Sequence, residues 1–419
     1  MSTECQRQGA NNGMRILLFC YEYPPIGGGG GVGAQQYAEA WVRAGHEVTV
    51  VTSRAPGLAA RELVGGVDVV RVFAGSRKDR ATASFLSMAL YNFTGALHLA
   101  ANWRKLRRFE LINTHFAIPS GPLGWLAAKA FRLPHVLTII GGDIYDPSKR
   151  SSPHRFAALR VVNSWIMNSA DRVIAISSDT RKRAEEHYRV RNKIEVINYG
   201  FTPLPPAEEI RLPEPLDPRC FYLIGVGRLV SRKGFDVAIR ALRHLPDRIH
   251  LLLVGDGPLE KDLRLIAQRE DVSDRVHFLG FLPRAEIQCL LRMSQCFVLS
   301  SWHEGLGIVV QEAMDAGLPV VATNNGGQVD LIRHGHNGFL VEPGDHLGLA
   351  EAVRTLYDEP ALCEQMGQNN REEVRRLYMD ENHALYLNVF NELALRPAEV
   401  GEKVEQVIPS GTELTGAGR

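Results

Sequence analysis

MRILLFCYEYPPIGGGGGVGAQQYAEAWVRAGHEVTVVT (14–52) holds an apolar run, a glycine-rich turn, a stretch with apolar residues at helical spacing, and a β-branched run. The first run, MRILLFC (14–20), has strand length and no polar alternation, so both of its faces are expected to be covered, as in a parallel sheet. AQQYAEAWVRAGHE (34–47) would be the crossover helix, and HEVTVVT (46–52) the next strand.

The pattern repeats outward. ELINTH (110–115), HVLTII (135–140), DRVIAIS (171–177) and IEVIN (194–198) read as further strands. It breaks at FTPLPPAEEIRLPEPLDPR (201–219), where six prolines in 19 residues suit neither helix nor strand. It then restarts with FYLIGVG (221–227), the helical FDVAIRALRHL (235–245), IHLLLVG (249–255), RVHFLG (275–280), CFVLS (296–300), LPVVAT (318–323) and GFLVE (338–342). The expectation is α/β: a flexible start at 1–13, a first domain at 14–200, a linker at 201–219 and a second domain at 220–375. The polar stretch 399–419 is expected to be a disordered tail.

With 419 residues, 45% hydrophobic and 23% charged, the chain is not collagen-like, coiled-coil or intrinsically disordered. No run approaches the ~18 apolar residues of a membrane span. No apolar stretch precedes Met14, so a cytoplasmic chain is expected. The six cysteines lack metal-ligand spacing, and reduced thiols with no metal site are expected. The net charge of +1 hides a polarity: residues 1–200 carry 26 Lys/Arg against 15 Asp/Glu, or +11, which leaves −10 for 201–419. Basic clusters at 103–108, 148–155 and 181–193 account for much of the excess. Aromatic residues do not interleave with them, which argues against nucleic acid. An anionic surface or an anionic acceptor fits, and solvated helix faces are the alternative.

In open α/β sheets ligands bind beyond the carboxyl ends of the strands, so the residues just after each apolar run are the candidates. PPIGGGGGVG (24–33) would bring backbone N–H groups to an anion at a helix start. GRLVSRKGFD (227–236) sets Arg228 and Lys233 on a glycine-bounded loop, where two cations could neutralise a diphosphate. HEGLGIVVQEAMDAGLPVVAT (303–323) places Glu304 in a turn and Glu312 on the following helix, with Gly305, Leu306 and Gly307 at the helix start. Carboxylates beside a phosphate site can accept hydrogen bonds from sugar or ribose hydroxyls. Together these motifs fit a sugar-bearing nucleoside diphosphate held between two α/β units.

The residues resemble the retaining nucleotide-sugar glycosyltransferases of family 4, which have the GT-B fold of two Rossmann-like domains with parallel sheets facing across a cleft. The resemblance runs from about Met14 to about Asn391 and is most specific at Glu304–Glu312, which matches the family's E-x7-E signature. GRLVSRKG matches its G-R-x-x-x-x-K-G loop, which implies diphosphate contacts for Arg228 and Lys233. The glycine loop looks like the family's amino-terminal GG loop and implies that Gly30 and Gly31 lie near the donor phosphate. VGDGP (254–258) and FLGFLP (278–283) match the strand ends bordering the base pocket. INTHF (112–116) sits where the family's strand ends in a histidine that approaches the reacting sugar, so that role is implied for His115. TIIGGDIYD (138–146) departs from T-x-H-G-x-D, with Ile140 in the histidine's place.

The resemblance implies a hexosyltransferase moving sugar from a nucleoside diphosphate sugar, UDP-sugar favoured, to a hydroxyl of a glycan or lipid-linked acceptor. It implies no cofactor and no metal, with Glu304 holding sugar hydroxyls and Glu312 the ribose. It also implies that a last helix, 376–394, crosses back to the first domain, and it allows peripheral contact of residues 1–200 with an anionic membrane at its inner face. A nucleotide-sugar epimerase or hydrolase on the same scaffold, or a catalytically silent partner of a glycan-assembly complex, remains the alternative.

Overall fold

A computed structural model describes residues 13–75, 84–149, 151–203 and 217–394. The expected flexible start (but for residue 13), most of the linker and the expected tail lie outside the described residues. The first sheet comprises β1 (Arg15–Cys20), β2 (Glu47–Arg54), β3 (Arg61–Val64), β4 (Val67–Phe73), β5 (Leu111–His115), β6 (His135–Ile139), β7 (Arg172–Ala175) and β8 (Ile194–Val196). Their order is β3-β4-β2-β1-β5-β6-β7-β8, parallel except for the β3–β4 hairpin. The second sheet comprises β9 (Phe221–Val226), β10 (Ile249–Val254), β11 (Val276–Gly280), β12 (Cys296–Leu299), β13 (Val320–Thr323) and β14 (Gly338–Val341). It runs β11-β10-β9-β12-β13-β14 and is parallel throughout.

β1 explains why the apolar run lacks alternation. Ile16 and Leu18 face one cluster while Leu17 and Phe19 face another, and all four are fully buried. Each such side chain contributes roughly 1.5–3 kcal/mol by leaving water. The helix Gly29–Arg43 covers the first of these faces, together with Met379–Ala394. The helices Phe85–Ala101, Gly121–Phe131 and Ala157–Ser169 lie side by side on the other.

The last helix sets Tyr386 and Phe390 against Tyr37 and Trp41 of the first domain. Where the chain passes between domains, Phe201 N–H donates to Leu377 O (2.9 Å) and Met379 N–H donates to Phe201 O (2.9 Å). The strand order reverses between β1 and β5, and again between β9 and β12. The loops leaving those four strands therefore open at the two switch points, where ligands of such sheets bind.

Candidate active site

The first-domain wall starts at the glycine run. The helix begins at Gly29, not at residue 34, so three of the five glycines form its first turn. They are there for close packing: a Cβ on Gly31 would lie 2.2 Å from Glu22 O, and one on Gly30 would press on Phe116 and Ile140. Ile140, standing where a histidine was expected, thus forms part of the seat of the glycine turn. His115 ends β5 with its ring fully buried. Its Nδ1 is 2.6 Å from the Tyr199 hydroxyl, and its Nε2 has no hydrogen-bond partner among the described residues. Burial pushes its pKa down to about 3, so the ring is neutral. Asp143 lies nearby, its carboxylate accepting from Ala117 N–H (2.6 Å) and Ile140 N–H (2.9 Å). Burial raises its pKa to about 6 against the pull of those bonds.

The second-domain wall carries the cations. The turn Ser231–Lys233 ends at Gly234, whose φ of +60° and 2.1 Å approach of a would-be Cβ to Ser300 O exclude other residues. This seats Lys233 so that its Nζ donates to Glu304 at 2.5 Å, with Arg232 donating to the other carboxylate oxygen at 3.2 Å. Burial opposes ionisation of Glu304, but the two cations outweigh it and hold the carboxyl well below its ordinary range. Glu312, on the helix Ile308–Ala316, pairs with Arg284, which also donates to Thr202 O at 2.9 Å. Burial raises the Glu312 pKa, and Arg284 pulls it back only in part.

The two walls meet at glycines. A Cβ on Gly305 would stand 2.5 Å from Ile140 O across the domain boundary, and one on Gly29 would reach Ile308 at 3.7 Å. The helices Gly29–Arg43 and Ile308–Ala316 therefore bring their N-termini together, and both have glycine N-caps with no capping side chain. The unmatched N–H groups of both helix starts are open to an anion. Beside them a cavity of about 410 Å³ is lined by Glu22, Phe116, Asp143 and Lys149 from the first domain and Arg228 from the second. Asp330 clasps the domains on another side, accepting from Ser178 N–H at 2.6 Å.

Comparison with known proteins agrees with this architecture. Residues 28–200 match the family described as glycosyl transferase 4-like domain, and residues 207–373 match glycosyl transferases group 1. Both halves of the chain thus match glycosyltransferase families, on a GT-B fold.

This glycosyltransferase is 34% identical over 223 residues to the lipopolysaccharide core biosynthesis glycosyltransferase LpsD of Rhizobium meliloti, covering 52% of the chain and 63% of that protein. It is 28% identical to glycogen synthase of Mycobacterium tuberculosis, covering 86% and 90% of the two chains. Among solved structures, sucrose-phosphate synthase of Thermosynechococcus elongatus superposes with a TM-score of 0.76 at 23% identity, covering 91% and 99%. HepE of Anabaena, solved with UDP, superposes with a TM-score of 0.70 at 21% identity, covering 91% and 100%.

The structure brings Lys233 and Glu304 into contact and sets Gly305 against Ile140 across the domain boundary, whereas a Cβ on Gly30, Gly31 or Gly307 would meet its own domain. Leu306 is buried in the main core, and Arg228 faces the cavity. It does not bring Glu312 to Glu304's cations, because Arg284 holds it elsewhere. Arg232, Arg284, Tyr199 and Asp330 escaped the reading of the enzyme's sequence. Arg232 alone had a signal there, its place beside Lys233 in the glycine-bounded loop.

Proposed function

We propose that the enzyme transfers a hexose from UDP-sugar to a hydroxyl of a glycan or lipid-linked acceptor with retention of anomeric configuration, in glycan or polysaccharide biosynthesis. The observation that carries this reading is the pair of opposed, uncapped helix N-termini beside Lys233, Arg232 and Glu304. Such a site offers N–H groups and cations to a leaving diphosphate, stabilising the charge that develops as the anomeric C–O bond breaks. Arg228 and Lys233 contact the diphosphate, Gly30 and Gly31 approach it, and Glu304 accepts from the sugar hydroxyls. Glu312 takes the ribose by exchanging Arg284 for its hydroxyls. The partnerless Nε2 of neutral His115 approaches the reacting sugar. The new C–O bond forms on the face the diphosphate leaves, and the acceptor proton passes to the departing phosphate. Cations perform the neutralisation, so no metal is required.

UDP in HepE and the naming of LpsD for lipopolysaccharide core synthesis support the donor and the pathway class. No described helix is long and apolar enough to cross a membrane. The enzyme works in the cytoplasm, and its basic first domain contacts the inner membrane face peripherally.

The test is a panel of nucleotide sugars, scored by thermal stabilisation and by acceptor-dependent release of nucleoside diphosphate. The anomeric coupling of the product is then read by NMR. UDP-sugar selectivity with a retained anomer is expected; an inverted product, or no stabilisation by any nucleotide sugar, overturns the reading.

A further inference from the structure

The helices Phe85–Ala101, Gly121–Phe131 and Ala157–Ser169 have 17, 11 and 13 residues, and none contains Asp or Glu. Their only Lys or Arg residues are Lys129 and Arg160. They share one face of the first sheet, with Leu123 seated on Gly95 and Ile166 on Gly121. Their outward sides keep large apolar groups in water. Leu86, Phe93 and Leu97 are 69, 63 and 55% exposed, and Val161 and Trp165 are 68 and 42% exposed. Phe73 at the end of β4 is 60% exposed, and its carbonyl accepts from Thr94 of the first helix, so it extends the same patch. Apolar faces this continuous mark an interaction surface on a soluble fold.

The surroundings say what covers it. Beyond the first helix come the exposed Arg104, Lys105 and Arg107. The Trp103 ring packs at a tilt against Phe131, centroids 4.7 Å apart, which ties that basic turn to the end of the second helix, where Lys129 and Arg132 are exposed. A second copy of this chain using the same face would offer those cations no opposite charge, because none of the three helices contains Asp or Glu. An anionic lipid surface meets both the apolar stripe and the basic end. The longest of the three helices measures about 25 Å at 1.5 Å per residue, short of the ~30 Å hydrocarbon core, and its other side is buried in the sheet, so the face lies on a bilayer and does not span one.

One end of the face reaches the cleft. Phe85 and Met88, in the first turn of the first helix, line the 410 Å³ cavity together with Phe116, Ile118 and Pro119, opposite Arg228. The apolar lining of the cavity is therefore continuous with the exposed stripe.

We infer that this three-helix face docks on an anionic bilayer and that the acceptor is an amphiphile passing from the lipid along Phe85 and Met88 into the cavity. The inference rests on the proposed peripheral, lipid-linked reading and narrows it to one face. The experiment is co-sedimentation of the full chain with phosphatidylglycerol–phosphatidylcholine vesicles and with pure phosphatidylcholine vesicles, at low and high salt. Wild type should sediment with the anionic vesicles at low salt and less as the Debye length shrinks. The double variant Phe93→Glu/Leu97→Glu should lose at least about tenfold of that binding while keeping its fold by circular dichroism. Leu265→Glu, an exposed position on the second domain, should change nothing. Absence of wild-type binding to anionic vesicles, unchanged binding by the double variant, or a solution dimer that the double variant dissociates would each overturn the inference. Thermal stabilisation by UDP, measured on the same proteins, should survive the double variant. Its absence in wild type would defeat the donor reading while leaving the vesicle result standing.

Discussion

The two walls of the cleft carry charges opposite to those of the halves they belong to. Residues 1–200 total +11, yet they line the cavity with the carboxylates of Glu22 and Asp143, against a single described cation, Lys149. Residues 201–419 total −10, yet they bring Arg228 to the same cavity, and on the same loop Arg232 and Lys233 outnumber the one carboxylate they share, Glu304. Bulk charge is thus a statement about the outer surface, where long-range steering operates, while the site is set by a few partly buried groups held by glycine-shaped turns.

The comparison breaks most readily at the second wall. Lys233→Ala and Arg228→Ala should each lower kcat/KM by about ten- to a thousandfold, with the larger loss at Lys233, which also supports Glu304. Steady-state nucleotide-diphosphate release measures this, and near-wild-type turnover in both variants would show that the cations serve only structure. Gly305→Ala probes the join between walls. Its methyl group cannot fit against Ile140 O, so the walls must separate; a loss of about a hundredfold in kcat/KM is expected with a folded protein, since small misplacements can cost that much.

Arg284→Ala should cost roughly 1–3 kcal/mol by stranding buried Glu312, read from denaturant midpoints. Its pH dependence has a definite sign. Burial already raises the Glu312 pKa, and losing Arg284 raises it further, so the folded state binds the proton more tightly than the unfolded one. The deficit should therefore grow as pH rises from the acid side through the raised pKa, and a deficit that shrinks toward neutral pH would refute the burial account. The smallest effect is expected from EDTA. Activity should change by less than about twofold if, as proposed, cations rather than a metal neutralise the diphosphate, and a larger loss would overturn that part of the proposal.

Much of the fold was legible because parallel strands buried on both faces are written as unbroken apolar runs; β1, β6, β10 and β13 each fall within one or two residues of the run that announced them. The β3–β4 hairpin was not legible, since RELV (61–64) is a short edge strand with Arg61 and Leu63 exposed, and VDVVRVF (67–73) interrupts its buried valines with Asp68 and the buried Arg71. The helix start at Gly29 was missed because glycine propensity argues against a helix, whereas close approach to Glu22 and Phe116 demands it there. Lys233 and Glu304 stood out beside glycine turns. Arg284 and Asp330 could not, because their partners Glu312 and Ser178 are distant in sequence and only tertiary packing pairs them. The outward face of Phe85–Ala101 was hidden for another reason: the helix is apolar almost all round, so its sequence does not tell which side meets the sheet.

The two backbone passages between domains are hydrogen-bonded to each other at Phe201, Leu377 and Met379, and a ring contact between Phe201 and Tyr378 braces them. A single passage would act as a swivel, free to twist about its own axis. Two fastened side by side behave as a short ribbon, which resists torsion and yields by bending about one line. Any opening of the cleft would thereby be confined to about one degree of freedom. The walls would then close back to the same register, with Gly305 against Ile140 and no search through rotated arrangements.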